Sequence, residues 1–310
     1  MDHLTDRAIA LLRSNGRLSY NELARRLGTN RTSVATRLNP LFEHGALRVT
    51  AAVHPRYLGF EVLAHLRIRS SGSTSAVARH LLAVPGAVFV SDTTGPMQLV
   101  AELYTGSLAD LYTSVQRIRA LPEVDEVEVL LYEQLLSSSP PAGSPLPAEP
   151  LPGEPPQIVE PLDAADLGIV EHLRVDGRLG YAELGRRIGL STSAARNRVE
   201  RLLASGAMRI GVTHGHSASK GSLVFGLGLV IEGETDRTIA LLREEPGLQV
   251  LARSLGRFSL IATVWFTAID EFEQLLDRLR TLPEVLHSDQ WMHLTIHLEW
   301  HRLGLAPRQT

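Results

Sequence analysis

Apolar residues recur at Leu4, Ala8, Leu11 and Leu12, the spacing of one face of an α-helix, and again at Leu162, Ile169, Val170 and Leu173. Asn15-Gly16 and Asp176-Gly177 stop these helices. A second short helix is predicted from Ser19, because Ser19-Tyr20-Asn21-Glu22 has the spacing of a capping box. Leu23 and Leu27 then face inward, and Arg25 and Arg26 outward. Gly28 makes a sharp turn, and Asn30 caps a third helix whose inner face is Val34, Leu38 and Leu41. The later stretch repeats the scheme, with Gly180 replacing the cap, Arg186 and Arg187 outward, Gly189 at the turn and Ser191 as the next cap. Ala195, Val199 and Leu202 form its inner face. The polar faces of the two third helices present Arg31, Thr32, Ser33 and Thr36, and Thr192, Ser193, Arg196 and Asn197. Gly45 and Gly206 end them, and strands follow at Leu47-Arg48-Val49 and Met208-Arg209-Ile210. Pro40 breaks the pattern. It removes a hydrogen bond to the Thr36 carbonyl, costing about 3 kcal/mol in a helix interior, so a kink or shortening after Thr36 is predicted.

Beyond each trihelical segment the period changes. Residues 60–69 read as a strand, 73–83 as a helix, 87–90 and 97–103 as two strands around Thr93-Thr94-Gly95-Pro96, 108–121 as an amphipathic helix, and 127–132 as a last strand. The order βαββαβ is ferredoxin-like. A sheet of this kind leaves one face bare, so pairing with a second sheet is expected. The later half repeats the order, with strands near 223–231, 249–252, 259–266 and 288–298.

These halves are copies of one another. Residues 16–49 and 177–210 align without a gap at an offset of 161, and 14 of 34 positions are identical where about two would match by chance. Downstream, Arg119-Ala120-Leu121-Pro122-Glu123-Val124 matches Arg280-Thr281-Leu282-Pro283-Glu284-Val285 at the same offset. Residues 137–161 hold nine prolines in 25 and predict an extended spacer, able at about 3.1 Å per residue to reach roughly 75 Å. The chain therefore divides into helical domains 1–50 and 162–211, sheet domains 51–136 and 212–302, and the linker 137–161.

Charge sharpens this picture. The 310 residues carry a net −3, yet residues 1–50 have eight Arg against four acids and residues 162–211 eight against six. Phosphate attraction is local, on the scale of a Debye length of about 10 Å, so two basic modules on an acidic body suit duplex DNA. A small polar leading face on a helix that follows a glycine turn is how a helix-turn-helix reads base edges in the major groove. Cysteine is absent, which excludes disulfides and thiolate metal sites and fits a cytoplasmic protein. The longest apolar run, Leu223–Ile231, is too short to cross a bilayer, and no basic-then-apolar signal opens the chain.

The combination resembles the leucine-responsive/asparagine regulator (Lrp/AsnC) family. The resemblance rests on Leu162-Asp163-Ala164-Ala165-Asp166, the two Gly-Arg-Leu-x-Tyr-x-Glu-Leu stretches, Gly189-Leu190-Ser191, Arg198-Val199-Glu200-Arg201-Leu202, and Thr94-Gly95-Pro96. It implies an α+β chain of two winged-helix-like helix-turn-helix domains and two ferredoxin-like βαββαβ domains of the RAM type. It further implies dimerising sheets that assemble further and bind amino acids or related small molecules; here the two copies form a covalent pseudo-dimer whose fused sheets separate the heads. Unequal halves predict an imperfectly palindromic operator. Arg31, Thr32, Ser33, Thr36, Thr192, Ser193, Arg196 and Asn197 are the candidates for base or groove contact. Arg25, Arg26, Arg37, Arg186, Arg187 and Arg198 are those for phosphate, with Arg37 and Arg198 equally placed to bridge helices. Effector candidates are Thr94, Gly95 and Gln98 in one copy and Leu255, Gly256 and Ser259 in the other. Gln98 and Ser259 stand where the family often has an acid, which points to a different effector or none.

Neither a cofactor nor a metal is expected. His287, His293, His297 and His301 recur near Trp291, but strand positions four apart lie about 13 Å from each other, so a polar sheet face or an oligomer contact is the expectation. His214-Gly215-His216 reads as a hinge loop. An enzymatic alternative is set by the siroheme decarboxylases, which resemble this two-half architecture and use His and Arg. The matching strand here, Phe89-Val90-Ser91-Asp92-Thr93-Thr94-Gly95, has neither, and Arg253 is the nearest candidate in the second copy. A nonspecific architectural DNA protein is a third reading, distinguished by weak sequence discrimination and a steep salt dependence.

Overall fold

The computed structural model describes residues 3–45, 47–53, 55–138, 162–214 and 223–299; linker residues 139–161, as well as Gly215, His216 and His301, lie outside the described residues. The first repeat runs α1 (His3–Ser14), α2 (Tyr20–Leu27), α3 (Arg31–Glu43), β1 (Leu47–Val53), β2 (Val62–Ser70), α4 (Thr74–Leu81), β3 (Ala87–Thr93), β4 (Leu99–Thr105), α5 (Leu108–Arg119) and β5 (Val124–Ser138). The second runs α6 (Ala164–Val175), α7 (Tyr181–Ile188), α8 (Thr192–Ala204), β6 (Met208–His214), β7 (Leu223–Ile231), α9 (Asp236–Arg243), β8 (Leu248–Leu255), β9 (Leu260–Phe266), α10 (Ile269–Arg280) and β10 (Val285–Glu299). The order is one pattern used twice. Ser137 and Ser138, expected to open the linker, belong to β5.

Compact units do not follow the repeats. Among the described residues, one unit gathers 3–58 and 162–214, and so contains both trihelical heads; the other gathers 59–136 and 223–299 and contains both sheets.

In the first unit β1 and β6 pair antiparallel, from Leu47 opposite His214 to Val53 opposite Met208. Each strand satisfies the backbone donors and acceptors that the other would leave open as an edge. A single apolar core spans both heads, with Leu12, Leu23 and Leu38 from one and Leu173, Leu184 and Val199 from the other all fully buried. The heads are thus joined directly, and their separation does not rest on the sheets alone. Pro40 does not shorten its helix. α3 continues to Glu43, thirteen residues long like α8, because Pro40 lies in its exposed last turns, where water can satisfy the Thr36 carbonyl.

In the second unit the strand orders are β3-β4-β2-β5 and β8-β9-β7-β10, the same arrangement in each half. β10 pairs with β3, β5 neighbours β8, and the eight strands close into a barrel. The partner sheet expected from the bare face is thus supplied within the chain. α4 and α5 cover one half over Leu66, Leu99 and Leu103, while α9 and α10 cover the other over Leu227, Leu229 and Leu260. The side chains alternating with these form a largely polar interior that includes His65, Arg67, Glu102, Tyr132, Trp291 and His293.

Candidate nucleic-acid interface

Each head carries a short helix, a left-handed glycine and a capped second helix. Gly28 and Gly189 take φ +67° and +72°, a region closed to most side-chain-bearing residues, and so set the turn. The next helix starts where Asn30 Oδ1 accepts the Ser33 N–H at 2.8 Å, and where Ser191 Oγ accepts that of Ala194 at 3.2 Å. As expected, Gly180 supplies no side-chain cap to α7.

The polar faces stand open. Arg25, Arg26, Arg31, Thr32 and Thr36 are exposed in the first head, as are Arg186, Arg187, Thr192, Ser193, Arg196 and Asn197 in the second; Ser33 is half-buried. The two arginines expected to serve either phosphate or the fold are engaged by the fold. Arg37 reaches back along α3 to the Ser33 carbonyl at 3.1 Å and hydroxyl at 2.7 Å. Arg198 bridges α8 to the start of α6, at 2.6 Å from Asp163 and 2.9 Å from buried Asp166. The Asp163 carboxyl is held below its ordinary range, chiefly by the capping hydrogen bond from the Asp166 N–H and then by Arg198.

Two further arginines fix the heads to one another. Arg17 Nε donates to the Gly177 carbonyl at 2.9 Å and Nη2 to that of Leu179, while Arg178 donates to the carbonyls of Gly16 at 2.9 Å and Leu18 at 3.3 Å. Arg17 lies over the Tyr181 ring at 4.7 Å, and Arg178 over Phe42 at 5.2 Å. Gly16 and Gly177 donate backbone bonds to Ile210 and Val49 across the same seam. A Cβ on Gly16 would sit 2.7 Å from Val49, and one on Gly177 2.9 Å from Ile210, so the close approach requires glycine. Neither arginine was singled out from the sequence; the signal was the Gly-Arg-Leu triplet standing unchanged in both copies.

In the barrel, Thr94 is tied to β10 through its N–H to the Met292 carbonyl (3.0 Å) and its Oγ to the Met292 N–H (2.9 Å). Gln98 Oε1 accepts from Ser70 N at 3.0 Å, and Ser259 Oγ accepts from Ile231 N at 3.0 Å. Gly95 and Gly256 have positive φ, and Leu255 is exposed. Arg253 is bound to Gln134 and Asp236. His293 belongs to the polar inner face of the barrel, on the strand β10 that pairs with β3 of the other repeat. It is buried against Phe89, with ring centroids 5.4 Å apart, and His297 lies 3.0 Å from Asp92. Register shifts in the β10–β3 ladder between His293 and Thr295 and between Ile296 and Leu298 break the simple alternation assumed for them. His65, missed in the sequence, stands 5.7 Å from Trp291 and 3.6 Å from Glu102. Burial and then the Glu102 charge push the Tyr132 and Tyr104 hydroxyls well above their ordinary range. Among the described residues no group of three or more His, Cys, Asp or Glu is placed to hold a metal, and no helix is long and apolar enough to cross a membrane.

Comparison with known proteins bears on these heads directly. The model of the AsnC-type helix-turn-helix domain matches residues 1–41 and again 162–203. The HTH-type transcriptional regulator FL11 of Pyrococcus horikoshii is 26% identical over 133 residues, 42% of this chain and 88% of the relative. An uncharacterized HTH-type transcriptional regulator of the same organism is 30% identical over 129 residues, 38% of this chain and 80% of the relative. Each relative is thus about one repeat long. Among solved structures, the siroheme decarboxylase NirDL is similar in fold over 97% of this chain and 96% of its own, with a TM-score of 0.64 at 14% identity. Two AsnC-type helix-turn-helix matches at the positions of the two heads, together with relatives matched over most of their length, identify the chain as a member of the Lrp/AsnC family in tandem form.

Proposed function

We propose that the chain is a DNA-binding transcriptional regulator of the cytoplasm whose α3 and α8 enter the major groove. The observation that carries this is the pairing of two capped helices with open polar faces inside one head unit, braced by Arg17, Arg178 and the β1–β6 ladder. Arg31, Thr32, Ser33, Thr36, Thr192, Ser193, Arg196 and Asn197 would meet bases or groove walls, and Arg25, Arg26, Arg186 and Arg187 phosphates. An amino-acid-like effector at Thr94-Gly95-Gln98 or Leu255-Gly256-Ser259 would act by altering those turns, whose side chains already hold strand ends in place. Footprinting of the full chain on the DNA upstream of its own gene, with and without amino acids, tests both parts. Arg196→Ala with Asn197→Ala should abolish discrimination between that DNA and a scrambled duplex; retained discrimination would count against the assignment.

A second reading, an enzyme acting on a tetrapyrrole, draws on the NirDL-like fold and on the two interior histidines whose Nε2 atoms have no hydrogen-bond partner. It requires a shifted visible spectrum when siroheme is added, followed by turnover. An unchanged spectrum removes it.

A further inference from the structure

We infer that the two heads hold DNA unequally, the first acting as the electrostatic anchor and the second engaging with its arginines already paired. This rests on the reading of both heads as DNA-binding. Its origin is one residue. In the first head Ser19 occupies the carboxylate of Glu22, whose Oε2 accepts the Ser19 N–H at 2.8 Å and hydroxyl at 2.7 Å. Those bonds hold the Glu22 carboxyl below its ordinary range more than the nearby arginines do. Among the described residues no ion pair or side-chain hydrogen bond engages Arg25, Arg26 or Arg31, and all three are exposed.

At the equivalent position of the second head stands Gly180, which offers no hydroxyl, so Glu183 turns to its own helix. One carboxylate oxygen accepts Arg187 Nε at 2.8 Å and the other accepts Arg186 Nη2. The Glu183 carboxyl is held low first by that Arg187 bond. Arg196 is taken by Glu200 at 2.7 Å, a pair for which the first head has only Ala35 and Asn39. An arginine already facing a carboxylate brings little net positive charge to a phosphate, so it displaces few of the cations condensed on the DNA, and its carboxylate remains beside any phosphate that replaces it. Free arginines give the full effect, a slope of log K against log salt of about −0.9 for each phosphate neutralised.

Fluorescence anisotropy of a labelled 40-base-pair mixed-sequence duplex, titrated with the full chain at 50 to 200 mM KCl, reads this slope. Arg25→Gln with Arg26→Gln should flatten it by about 1.8, and Arg186→Gln with Arg187→Gln by under about half as much. Gly180→Ser, which rebuilds the capping box around Glu183, should steepen the slope and tighten binding at low salt. Equal flattening by the two double variants, or a Gly180→Ser chain with the parent's slope, overturns the inequality while leaving DNA binding intact. Failure of the parent chain to bind the duplex at 50 mM KCl overturns the DNA-binding reading itself.

Discussion

Burial of His293 makes the barrel acid-sensitive, and the size of the effect follows from its surroundings. Both ring nitrogens lie out of reach of solvent and of any hydrogen-bond partner. Burial, and secondarily the nearby charge of His65, lowers its pKa to about 3 from the ordinary 6.5. The unfolded chain therefore binds a proton near pH 6.5, whereas the folded chain resists it until about pH 3. The unfolded state holds more protons throughout that window, so stability is complete above it, falls as pH drops through it and levels off below about 3. At 1.36 kcal/mol per pKa unit, the drop between pH 7.5 and 5.0 is about 2 kcal/mol. His293→Leu removes the titration. It also removes two buried unsatisfied polar atoms, at a typical gain of about 1–3 kcal/mol. Trp265 and Trp291 lie in the barrel unit, and residues 1–221 hold no tryptophan, so urea unfolding followed by tryptophan fluorescence reports on the barrel. At pH 7.5 the variant should be the more stable protein, and at pH 5.0 its advantage should have grown by about 2 kcal/mol. Parallel losses in parent and variant would show that the proton is bound elsewhere.

Arg17→Ala removes two charge-assisted hydrogen bonds and a ring contact from the seam between the heads, a cost of about 2–3 kcal/mol. Amide hydrogen exchange in Leu47–Val53 and Met208–His214 should accelerate at least about 30-fold, and Arg178→Ala should behave alike; unchanged exchange would show the seam to be held by β1 and β6 alone. Gly226→Ala would place a Cβ 2.1 Å from the Trp291 indole and should destabilise the barrel by about 1–3 kcal/mol. Adding Trp291→Leu should recover part of that loss; additive losses in urea unfolding would refute the contact as its cause.

Periodicity, turn glycines and caps made the elements legible, because each of these signals acts within a few residues. The capping box at Ser19 and the caps at Asn30 and Ser191 form as their spacing implies. The duplication likewise foretold two equivalent halves. What the pattern could not convey was which halves meet. The β1–β6 ladder and the swapped Arg17 and Arg178 join segments about 160 residues apart, and no local rule selects that pairing over attachment through the sheets. Pro40 misled because its cost depends on its position in the helix and on exposure rather than on identity. Of the candidate contact residues, the sequence located the exposed faces but could not weigh competition. Arg198 goes to Asp166, which packing of α8 against α6 brings within reach, and Arg186 and Arg187 go to Glu183 on their own helix, where Gly180 offers no competing cap.

Fusion of the two copies has let the barrel lining diverge. At the shared offset of 161, His65 and Arg67 correspond to Gly226 and Gly228, Leu130 to Trp291, and Tyr132 to His293. The glycines are where the other residues of their half intrude, since a Cβ on Gly226 would meet Trp291 and one on Gly228 would come within 2.6 Å of Phe258. A homodimer carries every mutation twice, once per subunit, so it could not have made room on one side for bulk on the other. Arg67 lies over the rings of Phe258 and Trp291 of the other half, at 5.2 and 5.0 Å; two copies of the first repeat would have Met97 and Leu130 in place of those rings, and two of the second would have Gly228 in place of the arginine. The halves have become each other's obligate mates, and neither can rebuild this lining by associating with itself.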